Sequence, residues 1–179
     1  MSAAALRELR GMGGDARPGR ICPLSYRYSP ASLARDPEIV ADTLYVVGGL
    51  YGNVESLGAV ERMVSGEPGA VLAFNGDFHW FDVASADFAA VESGVAAHLA
   101  LRGNVETEIA TEDSGAGCGC AYPADVSDAT VHRSNEILER LRATARTLPG
   151  ARERLARLPM NLVAQVGDAR VAIVHGDAA

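Results

Sequence analysis

Between residues 43 and 106 the chain repeats one pattern three times: a short apolar run meets glycine, and a polar loop follows. TLYVV (43–47) runs into GGLYGN (48–53), AVLAFN (70–75) into GDFHWFD (76–82), and VAAHLAL (95–101) into RGNVE (102–106), with the loops about 25 residues apart. A β-branched apolar run ended by glycine is a strand entering a tight turn. The segments between the runs carry helical periodicity. After Asn53, a plausible N-cap, Val54, Leu57, Val60, Met63 and Val64 fall on one helical face, and Gly66 or Gly69 stops the helix. Ala84–Ser93 is helical in pattern as well. Strands alternating with helices predict βαβ units, hence an α/β fold with a mainly parallel sheet flanked by helices. In such a sheet the loops at the strand C-termini open onto one crevice, so their polar residues are the first place to look for chemistry.

Outside this core the pattern is looser. Residues 1–20 are rich in Gly, Arg and Ala and read as a flexible arm, and residues 21–179 as one domain. ICPLSYRYSP (21–30) is apolar but broken by Pro23 and Pro30, which predicts an irregular strap; ASLARDPEIV then predicts a short helix. Residues 107–130 are glycine-rich and acidic and read as an inserted loop, the start of an insertion at about 107–157. Its second part holds an amphipathic helix over Ser134–Leu148, with Ile137, Leu138, Leu141, Ala145 and Leu148 on one side, and a shorter one in ARERLARL. NLVAQVGDARVAIVHGD predicts a β-hairpin turning at Gly167-Asp168.

Composition narrows the functions open to such a chain. It has 179 residues, of which 48% are hydrophobic and 22% charged, enough to bury one core. A net charge of −7 and a pI near 5.1 argue against binding a nucleic-acid backbone. The basic residues between Arg133 and Arg157 alternate with Glu136, Glu139 and Glu153, as on a solvated helix face. No run is long enough to span a bilayer, so no membrane association is expected, and the N-terminus lacks the apolar core of a signal peptide. Three cysteines make a poor disulfide framework, so a cytoplasmic location is expected.

In order and spacing, Gly52-Asn53, Gly76-Asp77, Gly103-Asn104 and the closing VHGD (174–177) resemble the motifs of the metallophosphoesterase (calcineurin-like phosphoesterase) family. The resemblance covers roughly residues 40–110 and 158–177. It implies an α/β/β/α sandwich, incomplete here at the C-terminus, and hydrolysis of a small phosphorylated or nucleotide-like substrate with divalent metal. Carried over residue by residue, Asp77 matches the carboxylate that bridges two metals, Asn104 an amide ligand of the second metal and His175 an imidazole ligand of that metal. Glu106 matches the acidic residue of the third motif. The departures are as informative. Gly49 and Tyr51 stand where the family has Asp and His, Val105 stands at its general acid, and the chain ends at Ala179 before any Gly-His-x-His. The first metal keeps only Asp77, whereas the second keeps Asp77, Asn104 and His175, so one Mn, Fe or Zn site is expected rather than two. A catalytically inactive member that binds a phosphorylated ligand or a protein partner is the alternative. A piece of a longer enzyme, with ligands supplied downstream, is a third reading.

Several side chains have two readings each. His79 either supplies the missing imidazole or packs within an aromatic loop, and Tyr51 either offers a phenol to the site or fills the lost histidine's volume. Cys22, Cys118 and Cys120 are either a zinc cluster with a histidine, a redox group, or reduced structural thiols. His98 and His132 are read as surface or half-buried polar residues. An unpaired sheet edge at the C-terminal hairpin would permit a homodimer.

Overall fold

The computed structural model describes residues 17–23, 28–112 and 115–176. Most of the arm expected over 1–20, at residues 1–16, and the middle of the expected strap, at 24–27, lie outside these.

Six strands form two three-stranded sheets. β2 (Thr43–Val47), β3 (Ala70–Asn75) and β4 (Leu99–Leu101) pair in parallel in the order β2-β3-β4, with Thr43 opposite Ala70 and Phe74 opposite Ala100. β1 (Ile39–Ala41) pairs in parallel with β5 (Asn161–Val166), and β5 pairs antiparallel with β6 (Ala169–Val174), which lies at the sheet edge. The mixed α/β class read from the sequence is therefore present, with the hairpin turning at Gly167-Asp168. The segment ASLARDPEIV differs from expectation. Only Pro30–Ala34 is helical, as a 3₁₀ turn capped by Ser29, and Ile39–Ala41 is a strand. Pairing with β5 explains this: the three-residue strand gains its partner only from the far end of the chain.

Among the described residues there are five α-helices. In α1 (Val54–Ser65) the Asn53 side chain accepts the Ser56 N–H at 2.8 Å, and Gly66 caps the other end. α2 spans Ser85–Ala96. α3 spans Asn104–Ala110, a helix where the sequence predicts a loop running into an insertion. α4 runs Asp128–Thr147, starting six residues earlier than its periodicity shows because Ser127 caps it and accepts the Thr130 N–H. α5 is Ala151–Arg157, and α1, α2 and α5 match the sequence pattern.

Strand periodicity sorts the core into two layers. Leu72 and Phe74 of β3 face the helices, where they join Leu57, Phe88, Val91, Leu138 and Leu141. Ala73, between them, points the other way and meets Leu101, Ile39, Leu162, Ala164 and Ile173 at the interface of the two sheets. The order of layers is helices, parallel sheet, mixed sheet. Each fully buried Leu or Phe contributes roughly 1.5–3 kcal/mol of transfer free energy. The segment read as an insertion is part of this core: Leu138 and Leu141 of α4 are fully buried, and α3 packs against both α4 and α5. Arg142 of α4 is 3% exposed and binds the Glu108 carbonyl and carboxylate at 2.8 and 2.7 Å. Arg20, 6% exposed, donates to the Pro123 and Val126 carbonyls and to Asp128, so the end of the expected arm is tied to the domain. Among the described residues no helix is long and apolar enough to cross a membrane.

Candidate functional site

The C-termini of β2, β3 and β4 end at one edge of the parallel sheet, and β6 brings its own end to the same place. At that edge His175 stands beside Asp77 and Asn104. Its Nε2 is 3.4 Å from Asp77 Oδ2 and 3.2 Å from Asn104 Oδ1. Its Nδ1 lies 2.7 Å from the Asn75 carbonyl, an acceptor, so Nδ1 carries a proton and donates. Three residues separated by up to about a hundred positions in sequence thus share one small volume.

Local backbone chemistry sets these positions. Gly76 (φ +71°) and Asp77 (φ +51°) are both left-handed, an uncommon state for a non-glycine residue that Asp tolerates better than most. The turn presses the backbone against the neighbouring loop: a Cβ on Gly76 would lie 2.5 Å from Gly103 N. A Cβ on Gly103 would lie 2.2 Å from Asp77 Oδ1. Only two glycines permit this approach. Asp77 Oδ1 then accepts the Val105 N–H at 3.2 Å, which leaves Oδ2 toward the histidine.

Glu106 holds the loops together from below. It is fully buried, and its carboxylate accepts the N–H groups of Asp77 (2.8 Å), Gly103 (2.8 Å) and His79 (3.2 Å). Burial, then the Asp77 charge, push its pKa above the usual carboxylate range, against the pull of the amides. Glu106 braces the site and does not face the pocket.

Electrostatically, His175 and Asp77 are a pair. Burial opposes the imidazolium, but the hydrogen bond and charge of Asp77 outweigh it and hold the His175 pKa up at about 9. With a proton on Nε2 the site is an ion pair with an amide oxygen beside it. Without that proton, Nε2, Oδ2 and Oδ1 are three converging donor atoms. The two separations from Nε2 suit a metal: ligand atoms about 2.1 Å from a tetrahedral ion sit roughly 3.4 Å apart. The Asn75 carbonyl on Nδ1 is also the usual outer partner of a metal-bound imidazole. The oxygen and nitrogen donors present therefore fit one Mn, Fe or Zn ion. Because one of the three is an amide, this is not a His/Cys/Asp/Glu trio; among the described residues no such trio is grouped for a metal.

The pocket beside these residues has a volume of about 410 Å³. Asp77 and Asn104 line it, together with Val105, Cys120 and an aromatic wall of Tyr51, Trp80, Phe81 and Tyr122. Tyr51 is left-handed (φ +52°), and its ring lies where a side chain on Gly49 would project, with Cε2 2.7 Å from that Cβ position. Burial, then the charges of Asp77 and Cys120, raise the Tyr51 pKa, so its phenol stays protonated and can donate. Val105, beside Asn104 in the pocket lining, is buried and apolar.

His79 does not join the site. It is fully buried, stacks on Phe88 with ring centroids 3.8 Å apart, and pairs through Nδ1 with Asp82 at 2.6 Å. Of the two readings for this loop, the structure places His79 in the packed core. The cysteines divide. Cys22 is exposed, Cys118 is buried, Cys120 is half-buried at the pocket, and none forms a disulfide. The Cys120 thiol donates to the Cys118 carbonyl at 3.6 Å, and that carbonyl also accepts the Asn104 side-chain N–H at 3.1 Å. A hydrogen bond from Cys120 lowers the Cys118 pKa and raises that of Cys120. His98 and His132 lie elsewhere, near Glu61 and Glu136. Sequence reading missed the pocket roles of Trp80, Phe81, Cys120 and Tyr122; the cluster of aromatics in DFHWFD was the available signal for the first two. No protein-family model matches this chain, and no curated protein matches it in sequence.

Proposed function

We propose that this protein is a metal-dependent phosphoester hydrolase of the metallophosphoesterase type, acting on a small phosphorylated substrate through a single divalent ion. The observation that carries the reading is the convergence of Asp77, Asn104 and His175 at one sheet edge, beside a pocket. The stacking of a helical layer, a parallel sheet and a mixed sheet is consistent with part of that family's sandwich.

Asp77, Asn104 and His175 would hold the ion, which supplies Lewis acidity toward the phosphoryl group and lowers the pKa of water. The protein's own contributions are orientation and proton placement. The Val105 N–H fixes the Asp77 carboxylate, and the Asn75 carbonyl fixes the His175 tautomer so that Nε2 faces the donor set. Tyr51 places a protonated phenol at the pocket wall, where it can hydrogen-bond a phosphate oxygen. With Val105 apolar, the leaving group takes its proton from water, which favours substrates with good leaving groups.

The test is metal content by mass spectrometry together with turnover of an aryl phosphate with and without Mn²⁺. Turnover should require metal and vanish in Asp77→Asn. Equal behaviour of wild type and variant rejects the hydrolase.

One observation favours the second reading, a phospholigand-binding protein without turnover. The Tyr51 ring fills the space beside Gly49, so a first-metal carboxylate has neither a residue nor room there.

A further inference from the structure

Phe81 is 67% exposed and Tyr51 47% exposed, yet both are fixed in place by backbone hydrogen bonds. Two loops are zipped together: Tyr51 N–H donates to the Asp77 carbonyl (3.1 Å), Gly52 N–H to that of Phe78 (2.7 Å), and Phe81 N–H to that of Tyr51 (3.1 Å). The Trp80 N–H donates to Asp82 Oδ1 at 2.9 Å, and Asp82 is itself buried against His79. The fourth aromatic, Tyr122, is anchored by its N–H on the Gly19 carbonyl (3.0 Å) and its phenol oxygen 3.0 Å from Ser134 Oγ. Within DFHWFD the side chains part company: Phe78 and His79 go to the core, while Trp80 and Phe81 go to the pocket. Tyr51 is held at a positive φ, a conformation that a bulky residue seldom adopts.

We propose that Tyr51, Trp80, Phe81 and Tyr122 form a subsite for a planar aromatic group, a nucleobase, held beside Asp77 and Asn104. It shares with the hydrolase reading the premise that this pocket is the ligand site, and it names the ligand's class. Three features select a base over other occupants. The cavity of about 410 Å³ lies within the range of small-molecule pockets. Among the described residues none of the chain's arginines lines it, and the sequence contains no lysine, so a phosphate-only ligand would find no basic side chain on this wall. Neutral hydrogen-bonding groups, the two phenols and the Asn104 amide, stand among the aromatic faces and suit the polar edge of a base. A quaternary ammonium would meet the same aromatic faces by cation–π attraction but would leave the phenols and the Asn104 amide without a hydrogen-bonding partner on the ligand, which makes phosphocholine the comparison ligand.

Trp80 is the only tryptophan in the chain, so its fluorescence reports on this wall alone. Titrating metal-free protein with adenosine should quench it saturably, while ribose 5-phosphate and phosphocholine should not. Base–aromatic stacking makes about a tenfold loss of adenosine affinity the expectation for Phe81→Leu and for Tyr122→Leu. Phe81 is exposed, so its variant should fold, and circular dichroism verifies both. The inference is overturned by no saturable quench, by quenching that both variants leave unchanged, or by phosphocholine or ribose 5-phosphate binding as tightly as adenosine. The two readings fail separately: quenching without Mn²⁺-dependent turnover removes only the hydrolase, and turnover without quenching removes only the subsite.

Discussion

Replacing Asp77 by Asn isolates the interaction on which the site's electrostatics rest. The side chains are nearly isosteric, and Asn tolerates the left-handed φ of +51° as well as Asp does, so the turn should survive while the charge is lost. In the wild type the His175 pKa stands at about 9 against an ordinary value of 6.5, a gap worth roughly 3 kcal/mol of preference for the imidazolium. Burial works against that charge, so in Asp77→Asn the histidine should titrate well below the wild-type value, with the Asn75 carbonyl and the Glu106 charge left to support the imidazolium. Because the folded pKa is raised, the stabilisation is fully present below about pH 6.5 and fades as pH rises through 9. Two-dimensional NMR of the four histidines, with His175 assigned by its Ala variant, reads the pKa directly, and urea unfolding at pH 6 and 9.5 reads the linkage. Zn²⁺ added at pH 7 should release a proton, because metal and proton compete for Nε2. A wild-type His175 titrating near 6.5, or equal values in the two proteins, would refute the pairing of these two groups.

Gly103→Ala should cost about 1–3 kcal/mol in thermal unfolding, although Gly103 has an ordinary φ of −86°. The added methyl would meet the Asp77 carboxylate, so the His175 pKa should fall in the same variant; a stable protein with His175 still near 9 would contradict the packing. Arg142→Ala should destabilise by about 3–5 kcal/mol in urea unfolding, because it leaves the fully buried Glu108 carboxylate without its guanidinium. Adding Glu108→Gln should recover part of that loss, and no recovery would mean that packing dominates.

The parallel core and the C-terminal hairpin were legible in the sequence because their signals are local. Asn53 as a cap, the stop at Gly66 and the turn at Gly167-Asp168 each depend on a few neighbouring residues. Local signals failed where distant partners decide. Ile39–Ala41 is a strand only because β5 accepts it, and the first turn of α4, which lacks apolar periodicity, is anchored by Arg20 on Asp128. The glycine-rich segment likewise read as an inserted loop, yet its chain is stitched to residues 17–23 and lines the pocket.

What the sequence by itself determined was an α/β chain whose polar loops follow apolar strands, and the residue types available for chemistry. A strand's side-chain period of two and a helix's of about 3.6 are written in consecutive residues, so these follow without a fold. Only the tertiary structure decided which polar groups meet. His175 reaches Asp77 across about a hundred residues, Glu106 turns inward as a brace, and His79 goes to the core although it lies two positions from Asp77. Direction in space depends on backbone angles and on the packing of other elements, and a motif's spacing carries neither.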